Sequence, residues 1–320
     1  MSTQNNNFSI ITGSHGQDAR ILAQILNKNS ENVLALTRKK DQDDYENIKF
    51  IETDYSVKNL LNIFEEYNID RIFHFAGQTH VSKSWNYIDE TFKSHTEITT
   101  NFLKLISKDK YRNIKMVNAS SSEIFYPNNN NPIDENSKIQ PINPYGAAKA
   151  ASHYLIKMFR KKYDLDINNL FLFPHESVYR PNNFAMKKII STLSKISKGS
   201  NEKLKLGNID VYRDWGYAKE FCEIIELVSK SKSKEDYCIC TSNILCLKEA
   251  LEICLDHYNL NFNDNVIITE NLYRHNEHER VLGNNSKIAN DFSWKPKLFG
   301  KKLVLKLIED YEDMLNQKKL

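Results

Sequence analysis

The chain has 320 residues, of which 40% are hydrophobic and 27% charged, and its 44 basic and 41 acidic side chains give a net charge of +3. This apolar content excludes a mainly disordered chain, and the balanced charge gives no indication of a nucleic acid partner. No run approaches the roughly 18 apolar residues of a membrane helix, and the first residues lack a signal-peptide pattern, so we expect a cytoplasmic protein with no membrane partner.

Strands and helices alternate through the first half of the chain. Helical spacing of apolar residues predicts helices through residues 21–26 and 60–63, over about 85–107 and over about 145–163. Apolar runs predict strands at 8–12, 32–37, 49–52, 71–76, 115–119 and 168–173. Because alternation at this spacing is typical of βαβ units, we predict an α/β protein with a doubly wound parallel sheet of the Rossmann type.

The regular alternation ends near residue 174. The elements that follow are shorter and irregular, which is typical of a smaller region that closes a ligand cleft at the carboxyl ends of the strands. We therefore predict that residues 1–173 form the Rossmann domain. Residues 174–320 would mainly form a substrate-binding region, with some segments returning to the first domain.

The cysteines give no indication of a disulfide framework or a metal site. They are odd in number and lack the CxxC spacing that zinc sites use. The five positions are Cys222, Cys238, Cys240, Cys246 and Cys254. We therefore predict buried thiols in a reducing compartment, and no metal.

A glycine-containing loop follows the first predicted strand, with the sequence TGSHGQDA from Thr12 onward. Gly13 would permit the tight turn, and Gly16 would let the backbone approach a pyrophosphate at the start of the next helix. The second predicted strand then runs into Arg38 with no acidic residue. Because an arginine can accommodate the 2′-phosphate of NADP, this pattern favours NADP over NAD as the cofactor of the Rossmann domain.

A tyrosine and a lysine open the predicted helix at 145–163. Tyr145 and Lys149 stand one turn apart on one helix face. A lysine ammonium at that place stabilises the phenolate, so that Tyr145 could act as acid and base near neutral pH. An earlier strand ends in Ser121 and Glu123, which supply a hydroxyl and a carboxylate at the same rim of the sheet. These four side chains are the predicted catalytic set.

This set and the glycine loop together resemble the extended short-chain dehydrogenase/reductase superfamily. Further segments resemble one family within it, the GDP-mannose 4,6-dehydratases. The matching segments, in chain order, are GQD at 16–18, AGQTHV at 76–81, SSE at 121–123, NPYGAAK at 143–149, HES at 175–177, LGN at 206–208, RDWG at 213–216 and YR at 273–274 with Glu277. An FSWKP segment at 292–296 resembles the usual ending of the superfamily.

The resemblance implies a reaction and a role for each member of the catalytic set. Tyr145 would take the proton of the sugar C4 hydroxyl while the C4 hydride passes to NADP⁺. Glu123 would then remove the C5 proton, Glu123 or Ser121 would assist the loss of water from C6, and the hydride would return to C6. Lys149 would support Tyr145 and hold the nicotinamide ribose. Glu123 also separates a dehydratase from reductases and epimerases of the same fold, which need no base at C5.

Motif and resemblance together assign the binding residues. The predicted cofactor-binding residues are Gly13, Gly16, Gln17, Asp18, Arg38, Asp54, Ala76, Gln78, Tyr145, Lys149 and His175. The predicted residues for a GDP-sugar substrate are Ser84, Glu176, Arg180, Asn183, Lys187, Arg213, Arg274 and Glu277.

The chain departs from the family in three places. Ser121 stands where the family usually has threonine, which preserves the hydroxyl. Residues 174–181 read PHESVYRP where the family has NHESPRRG. That change removes an amide and an arginine from the expected sugar–pyrophosphate pocket, so mannose, a modified hexose and a heptose all remain open. The loop after Arg38 is shorter than the one that builds the tetramer in relatives, so we expect a homodimer, with a tetramer as the alternative.

Two alternative functions remain open at this point. One is a GDP-sugar 4-dehydrogenase, reductase or epimerase on the same fold. The other is a catalytically silent protein that binds a nucleotide sugar, which the altered residues 174–181 would permit.

Overall fold

The computed structural model describes residues 7–39, 44, 47–127, 131–273 and 278–317. The chain divides into two compact units. The first comprises Met1–Tyr126, Glu135–Leu172 and Cys222–Tyr237, and the second Pro127–Asp134, Phe173–Phe221 and Cys238–Leu320. The assignment of a cofactor to one part of the chain and a nucleotide sugar to the other stays a prediction.

The described residues form the following elements. The strands are β1 Asn7–Thr12, β2 Asn32–Thr37, β3 Ile48–Glu52, β4 Asn68–His74, β5 Lys115–Ser121, β6 Ile167–Leu172, β7 His175–Glu176, β8 Leu204–Leu206, β9 Tyr212–Arg213, β10 Gly216–Tyr217, β11 Tyr237–Ile239, β12 Leu245–Cys246, β13 Val266–Ile268 and β14 Arg280–Val281. The α-helices are α1 Gln17–Lys28, α2 Val57–Glu66, α3 Ile88–Phe92, α4 Ile98–Ile106, α5 Pro144–Tyr163, α6 Ala185–Ser197, α7 Ala218–Lys230, α8 Leu247–Tyr258, α9 Phe262–Asn265, α10 Ser286–Phe292 and α11 Gly300–Gln317.

A seven-stranded sheet forms the centre of the first unit. Its order is β11-β6-β5-β4-β1-β2-β3, and β1 to β6 pair in parallel. Apolar residues of the strands, such as Ile10 and Ile72, are buried with Phe102 of α4 and Ile156 of α5. This confirms the predicted α/β class and Rossmann-type sheet. The strand order reverses between β1 and β4, and in such sheets the crevice beyond those two strand ends receives the ligand.

The predicted helix over 85–107 is interrupted. A 3₁₀ turn, Ser82–Trp85, precedes α3, and a π-helical segment, Lys93–Glu97, separates α3 from α4. The π segment lies where Ser94 and His95 both contact the backbone of Gln78: the N–H of Gln78 donates to Ser94 Oγ, and its carbonyl lies 2.8 Å from His95 Nε2. A contact outside the helix therefore accompanies the interruption. The predicted strand at 71–76 also begins three residues earlier, as β4.

The second unit contains short strands and longer helices. Its small sheets pair β7 with β10, β8 with β13, and β9 with β12 and β14. Its core packs Ile189 of α6 and Leu251 of α8 against Leu307 of α11. The predicted irregular pattern after residue 174 agrees with these short elements.

All five cysteines are free and buried, which confirms the predicted buried thiols. In the part of the chain that the structure describes, no helix is both long and apolar enough to cross a bilayer. Over the same residues, no three His, Cys, Asp or Glu side chains form a group that could hold a metal ion.

Candidate active site

The loop between β1 and α1 has the geometry of a phosphate-binding turn. Gly13 has a φ of +71°, and a Cβ at this position would lie 3.1 Å from the backbone of Ala76. The N–H of Gly16 donates to the carbonyl of Gly13 over 2.8 Å, and Gly16 is the N-cap of α1. The positive φ favours glycine at position 13, and the N–H groups at a helix N-terminus favour an anion.

Tyr55 supports this loop and was not identified from the sequence. Its hydroxyl donates to the carbonyl of Leu36 over 2.9 Å and accepts from the N–H of Gly13 over 3.3 Å. Burial raises the pKa of Tyr55 to about 12, so the hydroxyl remains a donor at neutral pH. The side chain thereby joins the end of β2 to the glycine loop.

Three unpaired polar atoms test whether a dinucleotide fits this edge of the sheet. Ser14 Oγ in the glycine loop, Gln78 Oε1 after β4 and Ser120 Oγ in β5 are buried and have no hydrogen-bond partner among the described residues. Buried polar groups are normally paired, so such atoms point to a polar ligand or water. Together with the helix N-terminus, they fit the phosphates and amide groups of a nicotinamide dinucleotide.

Of the other predicted cofactor residues, one lies beside the glycine loop and two are exposed. The N–H of Ala76 donates to Thr12 Oγ1 over 2.8 Å, beside the glycine loop. Arg38 is exposed at the end of β2. Asp54 is exposed too, and its Oδ1 accepts from the N–H of Ser56 and from Asn59, bonds that lower the pKa of Asp54.

Three further predicted cofactor residues are partly or wholly enclosed. Gln17 is buried in the first turn of α1, and the charge of Asp18 acts on Lys149. His175 is in the second unit, where Nδ1 lies 2.6 Å from the carbonyl of Phe173 and the ring packs against Phe221. Their contacts to a cofactor stay predictions.

All four predicted catalytic side chains belong to the first unit, where β5 ends and α5 begins. The ammonium nitrogen of Lys149 lies 5.9 Å from the ring centroid of Tyr145 and donates to the carbonyl of Ala119 over 2.6 Å. Burial lowers the pKa of Lys149 to about 8, so the side chain remains mostly charged at neutral pH. The arrangement therefore offers a cation beside a phenol, which acid–base chemistry at Tyr145 requires.

Glu123 lies in the 3₁₀ turn Ser122–Ile124 that follows β5. Its N–H donates to Ser121 Oγ over 3.2 Å. Its carboxylate Oε2 accepts a hydrogen bond from Asn143 Nδ2 over 2.8 Å. Asn143 is also the N-cap of α5, the helix that carries Tyr145. The base expected from the sequence is thus bonded to a residue that the sequence did not assign to the site.

His95 is a second side chain of this region that the sequence did not assign. Its ring is buried, lies 5.4 Å from the Tyr145 ring between centroids, and meets it edge to face at 78°. Burial lowers the pKa of His95 well below its usual value, so the ring is neutral, and Nε2 donates to the carbonyl of Gln78. Gly77 leaves room for this ring, because a Cβ there would lie 2.1 Å from His95 Cε1.

Ser84, a predicted substrate residue, contacts protein in this structure. It is fully buried, its Oγ donates to the carbonyl of Val81 over 2.6 Å, and it accepts from the N–H of Tyr145 over 3.2 Å. Ser84 therefore supports the first turn of α5. Contact with a substrate stays a prediction for this residue.

The second unit holds the other predicted substrate residues. Arg180 Nε lies 3.8 Å from Glu176 Oε1, and its guanidinium lies 3.9 Å from the ring centroid of Phe184. Lys187 is buried on α6, with Nζ donating to the carbonyl of Val178 over 2.9 Å. The segment 176–187 therefore brings two cations and a carboxylate together.

The remaining predicted substrate residues are more scattered. Arg213 is buried in β9 and donates to the carbonyls of Tyr212 and Glu279. Asn183 is exposed. Arg274 and Glu277 lie outside the described residues.

Comparison with known proteins gives a consistent result. The sequence model of the family described as GDP-mannose 4,6 dehydratase matches residues 10–307. GDP-mannose 4,6 dehydratase 1 of Arabidopsis thaliana is 29% identical over 338 residues, which cover 98% of this chain and 92% of the relative. Among solved structures, dTDP-glucose 4,6-dehydratase of Bacillus anthracis in complex with NAD has a TM-score of 0.82 at 19% identity, covering 96% of each chain. RMD of Pseudomonas aeruginosa, complexed with NADPH, has a TM-score of 0.76 at 18% identity, covering 96% of this chain and 99% of that one. At these identities, the two structures show the shared fold.

Proposed function

Since the chain belongs to the GDP-mannose 4,6-dehydratase family, we propose that it is a hydro-lyase that converts GDP-mannose or a related GDP-sugar to the 4-keto-6-deoxy sugar. The observation that carries the proposal is the catalytic set of the first unit. Lys149 lies beside the Tyr145 ring, and Glu123 is bonded to Asn143, the N-cap of the same helix. A dehydratase needs a base at C5 in addition to the tyrosine, and Glu123 supplies it.

The residues divide the reaction among them. NADP held by the glycine loop, Tyr145 and Lys149 would supply the hydride acceptor for C4 and the hydride donor for C6, so the net redox change would be zero. Tyr145 takes the proton of the C4 hydroxyl, and the Lys149 ammonium stabilises the phenolate. The C4 ketone acidifies C5, and Glu123 removes the C5 proton. The C6 hydroxyl leaves as water with that proton, which Glu123 delivers with assistance from Ser121. When C6 is reduced, a proton returns to C5, which balances the proton that Tyr145 took from the C4 hydroxyl.

NADP is proposed over NAD on the charges at the end of β2. The strand runs from buried Thr37 into Arg38 and Lys39, which are exposed. Two cations and no acid suit a 2′-phosphate, whereas a 2′-hydroxyl would be bound by an acidic residue.

The second unit supports a nucleotide-diphosphate substrate. Arg180, Lys187 and Arg213 supply positive charge, and arginine forks suit phosphate oxygens. Pro174 and Tyr179 stand where the family has an asparagine and an arginine, which removes two hydrogen-bonding groups, so we keep mannose, a modified hexose and a heptose as candidate sugars.

We also propose that the protein is a cytoplasmic homodimer. The five buried free thiols are compatible with a reducing compartment. Exposed Tyr154 and Met158 on α5 offer an apolar face of the kind that oligomers bury.

The decisive experiment incubates the purified protein with GDP-mannose in the absence of added reductant and follows the product mass. Loss of one water without net NADPH formation supports the dehydratase. A product lighter by two hydrogens, or an isomer of unchanged mass that still forms in Glu123→Gln, would instead indicate a 4-dehydrogenase or an epimerase. Absence of turnover with GDP-mannose, GDP-heptoses and UDP-sugars would favour the catalytically silent protein that binds a nucleotide sugar. Cofactor released by denaturation should be NADP(H), and release of NAD(H) would contradict the reading of Arg38.

A further inference from the structure

We infer that Asn143 is a positioning residue for the base, because its side-chain amide holds one oxygen of Glu123 and leaves the other for the C5 proton. Asn143 Nδ2 donates to Glu123 Oε2 over 2.8 Å, while Asn143 Oδ1 accepts from the N–H of Gly146 over 2.8 Å. Oε2 is therefore engaged, and Oε1 is the oxygen that remains for the proton. The inference rests on the proposed dehydratase reaction.

The backbone around Asn143 places its side chain at this contact. Asn143 is buried and extended, with the N-cap conformation that places its side-chain oxygen over the first turn of α5. A Cβ on Gly146 would lie 2.3 Å from the carbonyl oxygen of Glu123. The first turn of α5 therefore packs directly on the turn that carries the base. The bond from Asn143 Nδ2 to Glu123 is made across this close contact, whereas the bond to Oδ1 caps α5 itself.

The same helical turn fixes Tyr145. Its N–H is held by Ser84 Oγ, and Tyr145 lies two residues beyond Asn143. The proton acceptor for C5 and the proton acceptor for the C4 hydroxyl are thereby attached to one rigid helix end. Their relative position is set by the protein before substrate binds, which is how orientation lowers a barrier.

The chemistry explains what the bond contributes. As Glu123 Oε1 takes the C5 proton, the C5–H electron pair forms the C5–C6 double bond and the C6–O bond breaks. The proton then passes to the departing oxygen, which leaves as water. A glutamate with no partner samples several rotamers, and only some direct an oxygen at C5. Asn143 removes that freedom, so its loss should slow the step at C5 and leave the hydride transfer from C4 largely unchanged.

Two substitutions separate this role from helix capping. Asn143→Ser and Asn143→Asp both keep a side-chain oxygen for the N–H of Gly146, so the melting temperature should stay close to that of the wild type. The serine hydroxyl stands about where Asn143 Cγ stands, so it does not reach the place from which Nδ2 donates to Glu123, and an ionised aspartate has no proton to donate. In Asn143→Ser we expect kcat to fall at least tenfold, with a larger isotope effect on kcat for GDP-mannose deuterated at C5. The rate of the transient NADPH absorbance, which reports hydride transfer from C4, should change less than threefold.

Asn143→Asp should also change the pH dependence of kcat. Two adjacent carboxylates share a proton, so the acidic limb of kcat should move to higher pH in this variant. A double-mutant cycle with Glu123→Gln supplies the second check, because Asn143→Ser should cause no further loss when the base is already absent.

The outcomes are separable. An equal fall in both steps, or full additivity with Glu123→Gln, would assign Asn143 a general structural role and overturn the inference. Wild-type turnover together with unchanged kinetics in both variants would also overturn it, while leaving the dehydratase intact. No turnover of any GDP-sugar by the wild-type protein would contradict the proposed function and this inference together.

Discussion

At the scale of single residues, the proposed acid–base role of Tyr145 depends on the charge of Lys149. Its Nζ is buried, bonded to the carbonyl of Ala119, and 5.9 Å from the Tyr145 ring centroid. Since burial lowers the pKa of Lys149 from 10.5 to about 8, the side chain is a cation below about pH 8 and becomes neutral above it. The stabilisation of a Tyr145 phenolate is therefore available at neutral pH and is lost in mildly alkaline solution.

We expect kcat/KM to fall about tenfold for each pH unit above the pKa of Lys149. Arginine stays charged throughout this range, so Lys149→Arg should be slower overall but should show no alkaline limb near pH 8. The measurement is the pH profile of hydride transfer in single turnovers. An unmoved limb in Lys149→Arg would assign the titration to another group, such as Tyr145 itself.

At the scale of elements, His74 connects two strands and a helix. Thr99 Oγ1 donates to the carbonyl of His95, so it accepts from His74 Nε2, and His74 Nδ1 accepts from Thr12 Oγ1. Thr12 in turn accepts from the N–H groups that follow β4. A neutral His74 imidazole allows every donor in this series of hydrogen bonds to meet an acceptor. Burial lowers the pKa of His74 to about 3.

The hydrogen bonds of neutral His74 predict a pH dependence of the free energy of unfolding. Between pH 6.5 and about 3 the unfolded chain binds a proton at His74 and the folded chain does not, so stability falls as the pH falls through this window. From about pH 7 to about pH 5 the contribution is about 2 kcal/mol. In urea unfolding, the free energy of unfolding of His74→Gln should therefore decrease less over this pH range than that of the wild type.

A matched substitution provides the control for His74. His257 is exposed on α8, and His257→Gln should keep the wild-type loss. If His74→Gln and His257→Gln behaved alike, the acid sensitivity would belong to other groups.

The elements also differ in how well the sequence predicts them. β2 contains the apolar run VLAL and β6 ends in the apolar run LFL, as expected of parallel strands covered on both faces, and the sequence predicts both strands to within one residue. The interruption between α3 and α4 was missed. Apolar periodicity describes one helix face, whereas this π segment accompanies contacts with Gln78, a residue outside the helix.

At the scale of the whole molecule, the candidate site also contains contacts within one element, which the sequence predicts, and contacts between elements, which it does not. Tyr145 and Lys149 are one helical turn apart, so their proximity follows from sequence spacing alone. The bond between Glu123 and Asn143 joins two elements, and the packing of His95 on Tyr145 joins two more. Their sequence separations have no pattern that a motif could capture. Resemblance therefore predicts the reacting groups, and only the fold shows which residues contact them.

The exposed apolar face of α5 leads to a prediction about assembly. Tyr154 and Met158 are about half exposed and lie one turn apart on α5. Trp85, Tyr87 and Ile88, on and beside the segments that pack on α5, are similarly exposed. Large apolar side chains in such numbers on neighbouring elements are typical of a surface covered by another protein chain. We therefore expect a homodimer through this face, with a mass of twice 37.4 kDa.

Light scattering after gel filtration measures that mass directly. Met158→Glu would place a charge on the proposed face of each protomer, so we expect the mass to fall to that of a monomer at micromolar concentration. Leu227→Glu is the matched control, because Leu227 is exposed too, on α7, which contacts α1, and its substitution should leave the mass of the dimer unchanged. A dimer that persists in Met158→Glu, or a wild-type monomer, would contradict the assignment of this face. A wild-type tetramer reduced to a dimer by Met158→Glu would retain the face and add a second interface.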